Sequence, residues 1–247
     1  MEDKTTIKDA FTELAPRYEK VVDKELQKFW GWSYENFIEN LITNTRTNPG
    51  EHILDIATGT CLIPRQLVEN KRQVKITGVD ITHAMLKNGK EKNIKSGMDS
   101  NINLTTGDAM LMPFKRNSFE LAMCGLATHH MNVSILLGEI FRVLKPEGRF
   151  SLADVGGSSL WRKPIVSFFI KILAYFYFLI TENKDRAWAE ATAVANVQTA
   201  DSWNETLKKV GFTNIEIEKL PSKSFWVPDP LLIRATKPKY FPGEEKE

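Results

Sequence analysis

Residues 52–67 constrain this chain more than any other stretch. His52-Ile53-Leu54-Asp55-Ile56 is a short apolar run carrying one acid, Ala57-Thr58-Gly59-Thr60-Cys61 is a run of small residues, and Leu62-Ile63-Pro64-Arg65-Gln66-Leu67 begins a helical pattern. Strand, tight turn and helix in that order open the α/β units that bind nucleotides, where backbone lies close to a ligand. The glycine positions of the dinucleotide fingerprint G-x-G-x-x-G read Ala57, Gly59 and Cys61, and only Gly59 enters the left-handed region without steric cost. The departure argues against a nicotinamide or flavin oxidoreductase, and the stretch alone would also suit a buried strand and turn.

Residues at fixed spacings beyond the turn strengthen the ligand reading. Residues 74–80 form a second apolar run that ends in Asp80, about 20 residues beyond the glycine turn, where an acid meets a ribose in such folds. A carboxylate there can accept from both ribose hydroxyls; the competing role is a helix cap, which Thr82 fits better. Residues 102–109 read as a third strand and its exit, with Asp108 placed for the amine of an adenine and Ala109 leaving room for the ring, unless Asp108 only shapes a turn. A fourth strand over 119–125 leads to Leu126-Ala127-Thr128-His129-His130-Met131 at the sheet edge where open α/β sheets bind ligands. One histidine is expected to face the cleft and the other to pack or cap. A helix over 133–144 stops at Lys145-Pro146-Glu147-Gly148, and 149–155 is a fifth strand. This alternation predicts an α/β, Rossmann-like, doubly wound sheet that is mostly parallel.

The flanks read differently. Residues 4–43 carry two helical stripes broken at Ala15-Pro16-Arg17-Tyr18, either packing on the sheet or forming a flap whose Tyr18 covers a ligand. Residues 161–180 hold Phe168, Phe169, Tyr175, Phe176, Tyr177 and Phe178 among aliphatics, interrupted by Lys171. A helix apolar nearly all round is a buried lid or core, a membrane-surface contact or a dimer interface, and a greasy substrate pocket is compatible with each. A helix over 201–210, capped by Asp201 or Ser202, precedes closing strands at 213–219 and 231–236. The expected organisation is one domain over 1–240, with a helical flap at 1–46, a cofactor-binding core at 47–155, a helical lid at 156–200 and a frayed tail at 241–247.

Composition sets bounds. A formal net charge of +2 gives no electrostatic reason to expect nucleic acid as a partner. The chain opens on charged residues with no secretory pattern, and its two cysteines, Cys61 and Cys124, each placed at a strand end, read as reduced thiols of a cytoplasmic protein. No Cys/His spacing suggests zinc, so no metal is expected.

Together the motifs resemble the class I S-adenosylmethionine-dependent methyltransferases, most closely the ubiquinone/menaquinone biosynthesis C-methyltransferases. Leu54-Asp55-Ile56-Ala57-Thr58-Gly59-Thr60-Cys61 resembles the L-D-x-A-x-G-T-G of that family, with Cys61 as the departure. Asp80-Ile81-Thr82-His83-Ala84-Met85-Leu86 resembles D-I/F-x-x-x-M-L, and Gly107-Asp108-Ala109 with Leu111-Met112-Pro113-Phe114 resembles A/G-D/N-A-x-x-L-P-F. Phe141 to Arg149 resembles x-R-V-L-K-P-G-G-R, and Ala15-Pro16-Arg17-Tyr18 resembles A-x-x-Y-D. The resemblance covers residues 8–155 well. It implies a seven-stranded sheet with N-terminal helices and a hydrophobic helical insertion after strand five. It implies S-adenosylmethionine as cofactor and S-adenosylhomocysteine as product, held by Tyr18, Asp55, Ala57, Thr58, Gly59, Asp80, Ile81, Met85, Asp108, Ala109 and Cys124. Where the quinone enzymes carry G-L-R-N, this chain has Ala127-Thr128-His129-His130.

The implied reaction is direct methyl transfer to a hydrophobic small molecule, a quinone or other prenylated ring methylated on carbon, with the enzyme chiefly positioning donor and acceptor. His129 is the candidate general base, suited by its pKa; His130, Trp161, Phe168 and Tyr175 are the candidate acceptor contacts. The alternatives are an O- or N-methyltransferase of a natural product and a non-catalytic, cofactor-binding assembly subunit. The greasy insertion adds the expectation of peripheral membrane contact or a homodimer.

Overall fold

Strands separated by helix-length segments must pair in parallel, because a short hairpin cannot join strands that run the same way. The computed structural model describes residues 2–70, 73–223 and 226–240; the tail expected at 241–247 lies outside them. Helices α1 (Glu2–Leu14), α2 (Tyr18–Phe29) and α3 (Tyr34–Asn44) precede β1 (His52–Ile56), α4 (Leu62–Asn70), β2 (Lys75–Asp80), α5 (His83–Lys95), β3 (Ile102–Thr106), β4 (Phe119–Gly125), α6 (Val133–Val143) and β5 (Leu144–Asp154). Then come α7 (Pro164–Thr181), α8 (Lys184–Ala193), α9 (Ala200–Val210), β6 (Thr213–Lys219) and β7 (Leu231–Thr236).

The seven strands form one sheet in the order β3-β2-β1-β4-β5-β7-β6. The first five pair in parallel; β7 runs antiparallel to both β5 and β6. From β1 the chain steps outward through β2 to β3, then returns to lay β4 on the other side of β1. That reversal opens a crevice beyond the carboxyl ends of β1 and β4, the place where such sheets bind ligands. Strand alternation feeds two cores. Leu54 and Ile56 pack with α6 and α9 through Leu136, Ile140, Trp203 and Leu207. Ile53, Ile76 and Leu121 pack on the opposite face against Phe37, Leu41 and Leu67.

Several local expectations are corrected. Residues 4–43 hold three α-helices, not two. After Phe29 the chain turns at Gly31, whose φ is 80°, and Ser33 restarts it by accepting a hydrogen bond from the Asn36 N–H at the head of α3. Helix α9 is capped by Thr199, which accepts from the Ser202 N–H at 3.1 Å, rather than by Asp201 or Ser202. Lys145 to Gly148 is no free turn: β5 starts at Leu144 and absorbs it. Cys61 sits in the turn before α4 rather than at a strand end, with φ 66°.

The greatest correction concerns α7. Far from forming core, it has no buried residue. Its inner flank rests on α8 and α2, with Lys28 Nζ 3.1 Å from the Tyr177 hydroxyl and the Phe29 and Tyr177 rings 5.6 Å apart. The outer flank faces solvent.

Candidate active site

The turn after β1 achieves with small residues what the fingerprint does with glycines. Ala57, Gly59 and Cys61 all take positive φ, 53°, 54° and 66°, so the turn holds left-handed backbone at every second residue. For Ala57 and Cys61 this conformation costs roughly 1–2 kcal/mol each. The turn is held from behind: the Thr58 N–H donates to Val79 O at 3.0 Å and the Gly59 N–H to Asp80 Oδ2 at 2.9 Å. The second Asp80 oxygen accepts from the Thr82 N–H at 2.8 Å. Thr82 occupies the N-cap position of α5 without a side-chain capping bond, so Asp80 helps to hold that helix start and is less free than the sequence suggests. Burial raises its carboxyl pKa against those two backbone donors.

A cavity of about 70 Å³ opens beside this turn, walled by Ala57, Asp80, Ile81, Asp108, Ala109 and His130 among others. Helix α1 roofs it with Lys4 and Ile7. Lys4 Nζ lies 2.7 Å from Asp108 Oδ2, and although partial burial opposes ionisation, this ammonium and the Met110 N–H hold the Asp108 carboxyl below its ordinary range. The N-terminal cover is therefore α1 itself, and Tyr18 at the start of α2 lies close to Gly59: a Cβ on that glycine would lie 3.9 Å from the Tyr18 ring. Deeper, Asp55 is fully buried, neither oxygen has a hydrogen-bond partner, and burial pushes its carboxyl up to about 7.

From the cavity wall a chain of buried polar groups runs outward. Asp154, the last residue of β5, accepts the Thr128 N–H at 2.7 Å and pairs with His129 Nδ1 at 2.7 Å. Burial would lower the His129 pKa, but Asp154 outweighs it and the net shift is upward. The His129 and His130 rings lie 4.3 Å apart, and burial with the neighbouring His129 charge lowers the His130 pKa. His130 Nε2 faces Glu190 Oε1 at 3.5 Å, and the Phe11 ring meets its edge at 5.2 Å. Glu190 pairs with Arg186 at 2.9 Å, which holds its carboxyl far below the ordinary range despite burial. Arg186 also reaches Glu25 at 3.2 Å and lies over the rings of Phe11 and Phe178. Burial pushes Glu25 up to about 7. Three buried donor or acceptor atoms of this chain, His130 Nδ1 and Arg186 Nε and Nη1, have no partner. His129, His130 and Glu190 bring ligand-type atoms within 4.8 Å of one another. The Arg186 guanidinium beside Glu190 repels a cation, so the charge around this group opposes a metal ion.

Comparison with known proteins decides the family. The model of the ubiE/COQ5 methyltransferase family matches residues 1–223. The chain belongs to that family. Among curated relatives, a demethylmenaquinone methyltransferase of Symbiobacterium thermophilum is 33% identical over 146 residues, 58% of this chain and 57% of that protein. A ubiquinone/menaquinone biosynthesis C-methyltransferase of Rickettsia felis is 26% identical over 230 residues, 87% of each chain. Among solved structures, the YcgJ protein of Bacillus subtilis superposes with a TM-score of 0.64 at 17% identity, covering 83% of this chain and 99% of that one. Geranyl diphosphate C-methyltransferase of Streptomyces coelicolor gives 0.65 at 16%, covering 89% and 84%. These two show the fold: the strand order is that of class I methyltransferases. As a ubiE/COQ5 family member the protein is an S-adenosylmethionine-dependent methyltransferase.

In this methyltransferase the sequence-assigned residues fall into three places. Ala57, Asp80, Ile81, Asp108, Ala109 and His130 line the cavity; Thr58, Gly59 and Met85 are buried outside its lining, and of the two histidines it is His130, not the candidate base His129, that forms the wall. Cys124 does not reach the cavity. It is fully buried in the core between Ile56 and Leu152 of the neighbouring strands, because the strand register turns it away from the crevice. The assigned acceptor contacts on the insertion are corrected too. Phe168 is 59% exposed, Tyr175 lies along α7 against Phe176, and Trp161 lines a separate hollow with Gly157 and Val197. Sequence reading missed Lys4, Glu25, Asp154, Arg186 and Glu190. Asp154 had a readable signal: like Asp80, it is an acid ending an apolar strand. Arg186 and Glu190 show only an i,i+4 spacing in an alanine-rich helix, which by itself reads as a solvated pair.

Proposed function

We propose that this methyltransferase methylates a ring carbon of a hydrophobic acceptor of the quinone class that the names of its curated relatives carry, in its hydroxylated form, with His129 taking the proton. The observation that carries the reading is the His129–Asp154 pair, buried next to a histidine of the cavity wall. The residues around the cavity fit the cofactor chemically. Asp80 suits ribose hydroxyls, Asp108 an adenine amine above Ala109, and the unpartnered Asp55 carboxyl supplies acceptors behind the turn for a cationic ammonium. Asp108 would exchange Lys4 for the amine as α1 moves.

Bound S-adenosylmethionine supplies an electrophilic methyl group and leaves as S-adenosylhomocysteine. Asp154 holds the His129 Nδ1 proton and so leaves the other ring nitrogen as the basic one. With donor and acceptor in place, His129 would accept the proton that the acceptor gives up on methylation. Phe11 and the half-buried α7 flank at Phe178 exclude water from that side. The same pair would serve methylation of the hydroxyl oxygen, and the product decides between the two.

The test combines binding with turnover. Calorimetry should show S-adenosylhomocysteine binding and none for NAD. Asp80→Ala should weaken binding at least about tenfold, because a charge-assisted hydrogen bond contributes about 1.5–3 kcal/mol. Incubation of a prenylated naphthoquinol with labelled S-adenosylmethionine should yield a product whose mass spectrum places the label on carbon. Label on oxygen replaces C- by O-methylation; binding without any transfer makes the chain a cofactor-binding subunit instead.

A further inference from the structure

Helix α7 repeats large apolar residues at 165, 168, 169, 172, 173, 176, 179 and 180, the period of one helix face. Such a stripe normally turns to the core. Here it is the outward face: Ile165 is 73% exposed, Leu173 69% and Ile180 82%, with Phe168, Phe169 and Phe176 each more than half exposed. The half-buried residues are those between, among them Tyr175, Tyr177 and Phe178. An 18-residue helix rises about 27 Å, so the stripe is a continuous ridge far longer than scattered surface apolar residues make. Exposed patches of that kind mark a contact.

We infer that this ridge lies flat on an anionic lipid bilayer. Three observations choose that occupant. From Leu160 to Thr181 the chain carries Arg162, Lys163 and Lys171 and not one acid. A second copy docked through a two-fold axis would set these cations against themselves: antiparallel helices bring Lys171 near Lys171 at mid-helix, parallel ones bring Lys163 near Lys163. Neither copy offers a carboxylate within the stretch to neutralise them, whereas anionic headgroups do. Around the ridge, Leu160, Trp188 and Trp226 are also half or more exposed, and tryptophan at the rim suits the headgroup boundary. Finally, α7 is long and apolar enough to cross a membrane, with a mean hydropathy of 1.8. Its inner flank, however, is tied to the protein through Tyr177 on Lys28 and Phe29 and through Phe178 on Arg186. A helix held along one side by its own domain can bury only the other, which is the geometry of an interfacial helix. Phe178 places the docked ridge directly behind the Arg186 cluster, so docking brings that side of the site against the bilayer. The inference rests on α7 and holds whatever the acceptor is.

The experiment uses the full chain and needs no substrate. Vesicles of phosphatidylcholine with phosphatidylglycerol should carry the protein on flotation, and pure phosphatidylcholine vesicles should carry less. Leu173→Glu and Phe169→Glu should each lower the lipid-bound fraction about tenfold or more. Lys163→Glu should abolish the preference for phosphatidylglycerol. S-adenosylhomocysteine binding should be unchanged in all three, since none of these side chains lines the cavity; that control shows the variants folded. The inference is overturned if the wild type ignores vesicles. It is equally overturned if the protein is a dimer in solution that Leu173→Glu converts to a lipid-indifferent monomer.

Discussion

The two sides of the site are built by opposite means. The cofactor side consists of short contiguous motifs at strand ends, Asp55 to Cys61, Asp80 to Thr82 and Gly107 to Ala109, held largely by backbone hydrogen bonds. The acceptor side draws Phe11, Glu25, His129, Asp154, Arg186 and Glu190 from five stretches of chain and holds them by buried charge. On the first side the geometry follows from local backbone. On the second it exists only once α1, α2, α8 and the carboxyl ends of β4 and β5 have met. The first should therefore tolerate loss of a side chain with a graded effect, while the second should fail as a unit.

The largest test of that contrast is His129→Ala. Turnover should fall about 10²–10⁴-fold while S-adenosylhomocysteine affinity holds, because the base acts on the acceptor alone. The pH profile sharpens the result. His129 works deprotonated and Asp154 raises its pKa, so wild-type turnover should rise with pH through a value above 6.5. In Asp154→Asn that limb should move to lower pH as the maximal rate drops. A limb that stays put would detach the pair from catalysis.

Next comes Arg186→Met. Removing the guanidinium leaves Glu190 buried without its partner, a loss of about 3–5 kcal/mol by denaturant titration. Arg186→Met/Glu190→Gln should recover part of it, and full additivity would deny that the charges act together. Glu25 adds a pH signature. Its folded pKa, about 7, exceeds the ordinary 4.5, so its contribution is complete below pH 4.5 and is lost as pH rises through 7. Wild-type stability should decline across that window more than that of Glu25→Gln.

The smallest effect probes the cofactor turn. Cys61 replaces the last glycine of the motif, and its Sγ fills the space over Gly89 of α5, where an added Cβ would collide with it. Gly89→Ala should cost about 1–3 kcal/mol through overpacking. Cys61→Gly in the same chain should restore most of that stability, by removing the clash and relieving the left-handed strain together. If the second change gives no recovery, Cys61 and Gly89 are not a matched pair.

Legibility in the sequence divides along the same line. The doubly wound, mostly parallel sheet could be anticipated because apolar runs alternating with helical periods leave few topologies, and Asp80 and Asp108 stand out as acids at or just beyond strand ends on the edge where such sheets bind ligands. Cys124 misleads because a strand end looks the same in sequence whether its side chain points to the crevice or into the core; register decides. The dyad partner Asp154 escapes notice although it obeys the rule that singles out Asp80. Arg186 is invisible: charged residues at i,i+4 spacing ordinarily mark a solvated face.

The α7 stretch marks the boundary most clearly. Sequence determined that residues 161–180 carry a helix apolar nearly all round, since period and composition are local properties of the chain. It also determined the sheet, the tight turn after β1, the acid that ends β2 and the one just beyond β3. Only the tertiary structure decided that the stripe faces outward and that a buried arginine stands between it and the histidine pair. Hydrophobicity is non-directional, and it fixes that a surface must be covered without fixing what covers it.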